Sequence, residues 1–406
     1  MLNPTNDPTI PTGQKGRGGP SSTERPSVGV VETRTFTFAQ REEEALDLDS
    51  GARLGPITVA YETCGRLDAR RSNAILICHA LSGTAHVAGY HEEPGRNPGW
   101  WDDAVGPGKA FDTDKYFVIC ANVLGGCAGT TGPTSLDPRT GQPFGLAFPV
   151  VTVGDMVKVE RALLDHLGIE TLLGVAGGSL GGMQALEWAL RYPERVRGAL
   201  VIASTARMSA QAIAFNAVGR NSIISDTNWR RGRYYEDGDI PAQGLSVARM
   251  IGHITYLSEE AMHAKFGRRL KRNGLAFDFT SEFQVESYLD HQGTKFVERF
   301  DANAYLYMTK AMDYFDAAEA YGEGDLVRAL TRIRARMLVL SFSSDWLFPP
   351  YQSQELTDAL LRARKDVTYV NVETPCGHDA FLLEIETEGR IIGAFLEATH
   401  RASGGD

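Results

Sequence analysis

The sequence predicts an α/β fold, a mostly parallel sheet flanked by helices and interrupted by a helical insertion. Three observations carry this expectation. From residue 74 onward, short β-rich apolar runs alternate with helical runs, the signature of a sheet covered on both faces. The alternation stops over residues 207–328, which read as helices and loops rich in charges and aromatics. It then resumes at residue 337. With 406 residues, 43% of them hydrophobic, the chain is long enough for one large core with an insertion.

Taken in order, residues 74–79 (Ala-Ile-Leu-Ile-Cys-His) and 116–121 (Tyr-Phe-Val-Ile-Cys-Ala) read as buried strands. Residues 153–167 have helical spacing, with Val157, Leu163, Leu164 and Leu167 recurring on one face. Next come a strand at 172–176, a helix at 182–191 stopped by Tyr192-Pro193, and a strand at 196–203. After the insertion come a strand at 337–342, a helix near 353–364, a strand at 367–372 and a last helix from Ala380. The expected division is a disordered tail over 1–28, a first core portion over 29–206, a helical lid over 207–328 and a second core portion over 329–400. An insertion leaving a strand end sits over the carboxyl edge of the sheet, where α/β proteins bind ligands.

Composition excludes several classes. The net charge of −10 and the lack of a basic block argue against a nucleic-acid surface, and no run approaches the roughly 18 apolar residues of a membrane span. Five scattered cysteines (Cys64, Cys78, Cys120, Cys127, Cys376) form no Cys-x-x-Cys pair, which favours a reducing cytoplasm over a disulfide framework. The tail is rich in Pro, Gly, Ser and Thr and has no signal-peptide core. No metal is expected, because the nine histidines show no His-x-x-x-His or comparable spacing near a carboxylate.

Residues 175–188 set Ser179 among four glycines, and Gly177-Gly-Ser-Leu-Gly181 matches G-x-S-x-G between an expected strand and an expected helix. That context is the nucleophile elbow of the α/β-hydrolase fold, where a strained turn lifts the serine above the sheet edge. A glycine-rich turn that only packs helix on strand carries the same letters; a phosphate loop does not, for want of Gly-Lys-Ser/Thr. A serine hydroxyl needs a base, and the base needs an orienting acid, in the order Ser, Asp, His. Asp345 follows the strand at 337–342 and His378 follows the strand at 367–372, so both fall at carboxyl ends of strands. Oxyanion donors are expected from the amides of Leu180, directly after the serine, and Leu81, in the loop after the first strand.

The blocks Cys78-His-Ala-Leu-Ser-Gly-Thr84, Pro98-Gly-Trp-Trp-Asp102, Gly125-Gly-Cys-Ala-Gly-Thr-Thr-Gly-Pro133, the elbow, Ala248-Arg-Met-Ile-Gly-His-Ile-Thr-Tyr-Leu257, Phe283-Gln-Val-Glu-Ser-Tyr-Leu289 and Gly377-His-Asp-Ala-Phe381 occur in sequence. Together they resemble the hydrolase-fold homoserine O-acetyltransferases of methionine biosynthesis, over residues 33–396. The resemblance implies that Ser179 takes acetyl from the co-substrate acetyl-CoA and passes it to the L-homoserine hydroxyl, with no further cofactor. It matches Arg249 to the substrate carboxylate and Asp379 to the substrate ammonium, pairings that charge and hydrogen-bond geometry favour. Asp379 could instead support its own loop through backbone amides. Tyr256 is expected near the same pocket, and His253 within the lid.

In the family this chain resembles, relatives that prefer succinyl-CoA tend to carry an arginine after the Asp-Trp pair, although an arginine elsewhere could do the same job. Here that position is Leu347, which offers a succinyl carboxylate no partner and so favours acetyl. The same chemistry on L-serine or with succinyl-CoA, and an esterase with the same triad, remain alternatives. The resemblance also implies a homodimer through the lid; Phe296, Tyr305, Tyr307 and Phe315 exceed what one lid needs and could serve that contact or equally pack on the core.

Overall fold

A computed structural model describes residues 26–92, 97–236, 238–402 and 404. The expectation of a disordered tail therefore lies mostly outside the described residues. Eight strands form the main sheet: β1 Arg34–Phe38, β2 Ile57–Cys64, β3 Ala74–Cys78, β4 Phe117–Ala121, β5 Gly174–Gly178, β6 Gly198–Ile202, β7 Arg336–Phe342 and β8 Val367–Val372. Their spatial order is β1-β2-β4-β3-β5-β6-β7-β8. β2 runs antiparallel to both β1 and β4, and every other pair is parallel. The central strands are buried on both faces, so they read as unbroken apolar runs.

The apolar pattern does not announce β1 and β2. β1 is a polar edge strand, Arg-Thr-Phe-Thr-Phe, and β2 carries Thr58, Glu62 and Thr63 among its apolar residues, so neither shows a continuous run. Helix α1, Val153–His166, starts where predicted because Thr152 caps it, accepting from the Asp155 amide while Asp155 reaches back. Helix α2, Leu180–Arg191, begins two residues earlier than its composition implies, directly on Ser179, despite the low helix propensity of Gly181 and Gly182.

The insertion between β6 and β7 is helical throughout its named elements: α3 Ala210–Ile224, α4 Ala242–Tyr256, α5 Glu259–Phe266, α6 Gln284–Val297, α7 Ala302–Asp313, α8 Ala317–Gly322 and α9 Leu326–Leu330. A short 3-10 turn at Thr227–Gly232 lies between α3 and α4. α10 Pro350–Arg362 lies between β7 and β8. The last helix is two, α11 Ala380–Leu383 and α12 Ile385–Ala402, because Glu384 leaves the helical region (ψ 36°). Among the described residues no helix is long and apolar enough to cross a membrane.

Of the two places open to the four aromatics of the insertion, the core is the one they take. Phe296 and Tyr305 pack with Ile223, Leu245 and Ala248 in a core belonging to the lid. Tyr307 and Phe315 join the main core with Met308 and Met312, and the Tyr307 hydroxyl donates to the Phe148 carbonyl at 2.5 Å. Burying each ring stabilises this one chain by roughly 1.5–3 kcal/mol. α7 therefore anchors the lid to the sheet, and the buried ion pair of Arg220 with Asp313 (2.6 Å) ties α3 to it.

Candidate active site

Ser179 sits between β5 and α2 at φ 59°, ψ −122°, a backbone conformation that costs a non-glycine residue free energy and that the surrounding packing imposes. The glycines answer to close approach. A Cβ on Gly181 would lie 2.1 Å from the Cys78 carbonyl oxygen, and one on Gly178 would lie 2.5 Å from the Phe381 ring. With hydrogen in those places, α2 rests directly on the backbone of β3. Ser204 Oγ donates to the Ser179 carbonyl at 2.7 Å and the Ser179 amide donates to Ile202, so the turn is held from the β6 side as well.

Asp345 and His378 meet beyond the carboxyl ends of β7 and β8. The His378 Nδ1–H donates to Asp345 Oδ2 at 2.7 Å, while Asp345 Oδ1 accepts from the amides of Leu347 (3.0 Å) and Phe348 (2.9 Å). Asp345 is thus fully engaged, and Nε2 of His378 is left for acid–base work. Burial pushes the His378 pKa down, but the charge and hydrogen bond of Asp345, helped by Asp379, outweigh it and raise the value.

Ser179 and His378 share neighbours. Phe348 and Tyr256 line the cavity over Ser179 and lie 5.2 and 6.0 Å from the His378 ring, and Phe381 packs on both Gly178 and His378. Among the described residues, however, no hydrogen bond within 3.5 Å joins the serine hydroxyl to the imidazole. Such contacts commonly tighten only when substrate is bound. Leu180 opens α2, in the first turn where amides lack an intrahelical acceptor, and Leu81 lines the same cavity as Ser179. The loop bearing Leu81 is held by His79, whose Nδ1–H donates to the Ala80 carbonyl (2.7 Å) and whose Nε2 accepts from the Val123 amide (3.1 Å). Burial lowers the His79 pKa to about 4, so this ring is a neutral strut.

Arg249 points at this loop from α4. Its guanidinium donates to Ser82 Oγ (3.2 Å) and lies over the rings of Phe296 (4.7 Å) and Tyr256 (5.6 Å), with Nε buried and unpartnered. Among the described residues it has no carboxylate within salt-bridge reach. Among the same residues the Asp379 carboxylate makes no hydrogen bond, so the loop-support alternative for it fails. Burial raises the Asp379 pKa, opposed by His378 and Arg249. His253 stays within the lid, its Nδ1 3.0 Å from the Tyr288 hydroxyl. Burial and the nearby Arg249, Lys265 and Arg299 lower its pKa to about 3.

Two further residues escape sequence reasoning. Ser82 accepts from Arg249 and, through its carbonyl, from Arg299 (3.1 Å). Arg299 has its pKa lowered by burial and by Arg249, so two neighbouring cations share one loop. Only Ser82 carries any signal, inside the block 78–84. The cavity over Ser179 is narrow, about 40 Å³, and Leu347 lines it. A groove of about 670 Å³ lined by Arg207, Asp316, Glu355 and Arg362 contains none of these residues, so cavity size does not mark the chemistry here.

Residues 73–385 match the family model of the α/β hydrolase fold. Over 374 residues the chain is 54% identical to a homoserine O-acetyltransferase of Solidesulfovibrio magneticus, covering 91% of this chain and 94% of that one. It is 58% identical over 338 residues to a homoserine O-acetyltransferase of Rhodospirillum rubrum, covering 83% and 86%. Similar solved structures include a homoserine O-acetyltransferase of Bacillus anthracis (TM-score 0.84, 29% identity, covering 90% and 98%) and esterase E22 (TM-score 0.83, 32% identity, covering 90% and 100%). On its elbow, its strand-end acid and base, and these likenesses, the chain belongs to the homoserine O-acetyltransferase family of the α/β-hydrolase fold.

Proposed function

We propose that this protein transfers acetyl from acetyl-CoA to the hydroxyl of L-homoserine through an acetyl-Ser179 intermediate. Ser179 Oγ attacks the thioester carbonyl as its proton passes to His378 Nε2. The amides of Leu81 and Leu180 stabilise the oxyanion, and the CoA sulfur leaves with the proton. The homoserine hydroxyl then gives its proton to the same nitrogen and attacks the acetyl carbon, and Ser179 recovers a proton as it departs. Asp345 fixes the imidazole tautomer and stabilises the imidazolium formed in each half.

The observation that carries the choice of acceptor is the pair of unsatisfied opposite charges beside the base. Among the described residues Arg249 has no carboxylate partner and Asp379 no hydrogen-bond donor. A zwitterionic α-amino acid supplies both, a carboxylate for Arg249 and an ammonium for Asp379. Leu347 on the cavity wall supports acetyl over succinyl. In this reading 207–328 is the lid inserted between core portions 29–206 and 329–400, and no cofactor beyond the acetyl-CoA co-substrate is needed.

A cytoplasmic location is supported by five free cysteines. A homodimer through the lid draws support from its exposed apolar side chains, among them Val218, Ile224, Val247, Ile254, Phe277 and Phe279, and not from the buried aromatics.

The likeness to an esterase makes hydrolysis the second reading. Thiol release from acetyl-CoA, followed with and without L-homoserine, separates the two. Transfer gives a burst of about one equivalent alone and steady turnover only with the amino acid. Steady turnover in water alone supports the esterase. Ser179→Ala is expected to lower both half-reactions by at least about 10⁴-fold, and normal turnover by that variant refutes the nucleophile assignment.

A further inference from the structure

On the β2 side of the sheet, Glu62, His86 and His91 converge. Glu62 is buried on β2; the two histidines belong to the loop after β3 that also carries Leu81 and Ser82. Glu62 Oε2 is 2.9 Å from His86 Nδ1, and Oε1 is 2.7 Å from His91 Nε2. The Thr33 hydroxyl donates to Glu62 Oε1 (2.7 Å) and lies 3.4 Å from His91 Nε2. Backbone hydrogen bonds between residues 29–31 and Tyr90 hold the segment bearing Thr33 against the one bearing His91.

Proton accounting makes this cluster unusual. His86 Nε2 is 3.2 Å from the Asn97 carbonyl oxygen, which only accepts, so that nitrogen carries hydrogen. Nδ1 then faces a carboxylate, also only an acceptor, and needs either a second proton or a cation between the two. An imidazolium there sits against the His91 ring, whose centroid is 3.9 Å away. A metal ion can take the place of that second proton. His86 stays neutral and its N–H on the Asn97 carbonyl becomes the outer hydrogen bond that orients a metal-bound histidine.

We propose that Glu62, His86 and His91, with the Thr33 hydroxyl alongside, form a binding site for one zinc-class dication that clamps the loop after β3 to β2. One ligand atom from each of the three residues lies within 4.8 Å of the others. Tetrahedral zinc with bonds near 2.0–2.1 Å needs ligand edges of about 3.3 Å, so small side-chain adjustments seat the ion. Two imidazole nitrogens and a carboxylate select zinc-like ions over calcium or magnesium. This proposal departs from the expectation of no metal: the carboxylate it uses, Glu62, stands 29 positions from His91, so the sequence spacing of the histidines does not reveal it. The ion has no part in the acyl chemistry; its role is to hold the segment that runs on from the oxyanion loop.

The test uses the full-length protein, stripped by chelator, titrated calorimetrically with zinc chloride and with calcium chloride as control. Wild type is expected to bind one equivalent of zinc and to unfold at a higher temperature once loaded. His91 is about half exposed, so His91→Ala keeps the fold. It is expected to weaken zinc binding by at least about 100-fold, beyond the loss caused by removing an outer-shell partner, and to lose the thermal shift. Glu62→Gln is expected to do the same. X-ray absorption of the loaded protein should show only nitrogen and oxygen ligands, with imidazole scattering. Failure of wild type to take up zinc, equal uptake by His91→Ala, or sulfur in the metal shell overturns the proposal.

Discussion

Replacing Arg249 with methionine removes the guanidinium but keeps an unbranched stem between the Phe296 and Tyr256 rings. Arg249 donates to Ser82 Oγ at 3.2 Å and lies over two rings at 4.7 and 5.6 Å. A net hydrogen bond contributes about 1 kcal/mol and a part-exposed cation–π contact about 0.5–1 kcal/mol. Relief of repulsion with Arg299 offsets some of this loss. The fold should therefore lose no more than about 2–3 kcal/mol.

Substrate binding should lose more. Deleting one partner of a desolvated, hydrogen-bonded charge pair costs about 2–5 kcal/mol, a factor of about 30 to about 4,000 in kcat/KM for L-homoserine. The first half-reaction, read as the burst of free thiol from acetyl-CoA without acceptor, should stay within about threefold of wild type. Rapid-quench measurement of acetyl-enzyme formation, then of its discharge by homoserine, gives the two numbers separately. Equal losses in both steps would mean that Arg249 only supports the loop at Ser82. An unchanged homoserine step would remove it from the acceptor site altogether.

His378 must be neutral to take a proton, and its pKa is raised by Asp345 and Asp379 against the pull of burial. The acid limb of kcat/KM should therefore fall at a pH above the ordinary histidine value of about 6.5; a midpoint at or below that value contradicts the assignment. Asp345→Asn should lower kcat by about 10⁴-fold and move the remaining limb to lower pH, checked by pH–rate profiles. Leu347→Arg should raise the ratio of succinyl-CoA to acetyl-CoA turnover by at least about tenfold, the effect of roughly 1.4 kcal/mol of new charge pairing; an unchanged ratio in steady-state assays means that acyl choice is made elsewhere.

The legible parts of this molecule are those whose physics is local. β3, β4 and β6 are buried on both faces, so each is a run of apolar letters needing no partner to recognise. Ser179, Asp345 and His378 stand out because each follows a strand, in an order that elbow geometry dictates. β2 is hidden because its inward face includes Glu62, whose burial depends on histidines from another loop. Composition reports how many aromatics the lid holds but not where they face, and Tyr307 and Phe315 turn to the sheet. Ser82 and Arg299 acquire meaning only when α4, α6 and the loop after β3 come together in space.

The close seating of Gly181 on Cys78 has a consequence for how such a scaffold diversifies. Ser179, Leu180 and the root of the loop bearing Leu81, the proposed nucleophile and oxyanion donors, are packed backbone to backbone, with no cushion of side chains to absorb a shift. Mutational drift cannot retune that engine gradually. It can readily exchange what hangs above it, and a structure so similar to an esterase is the outcome expected when novelty is confined to the roof and the machinery beneath is left alone.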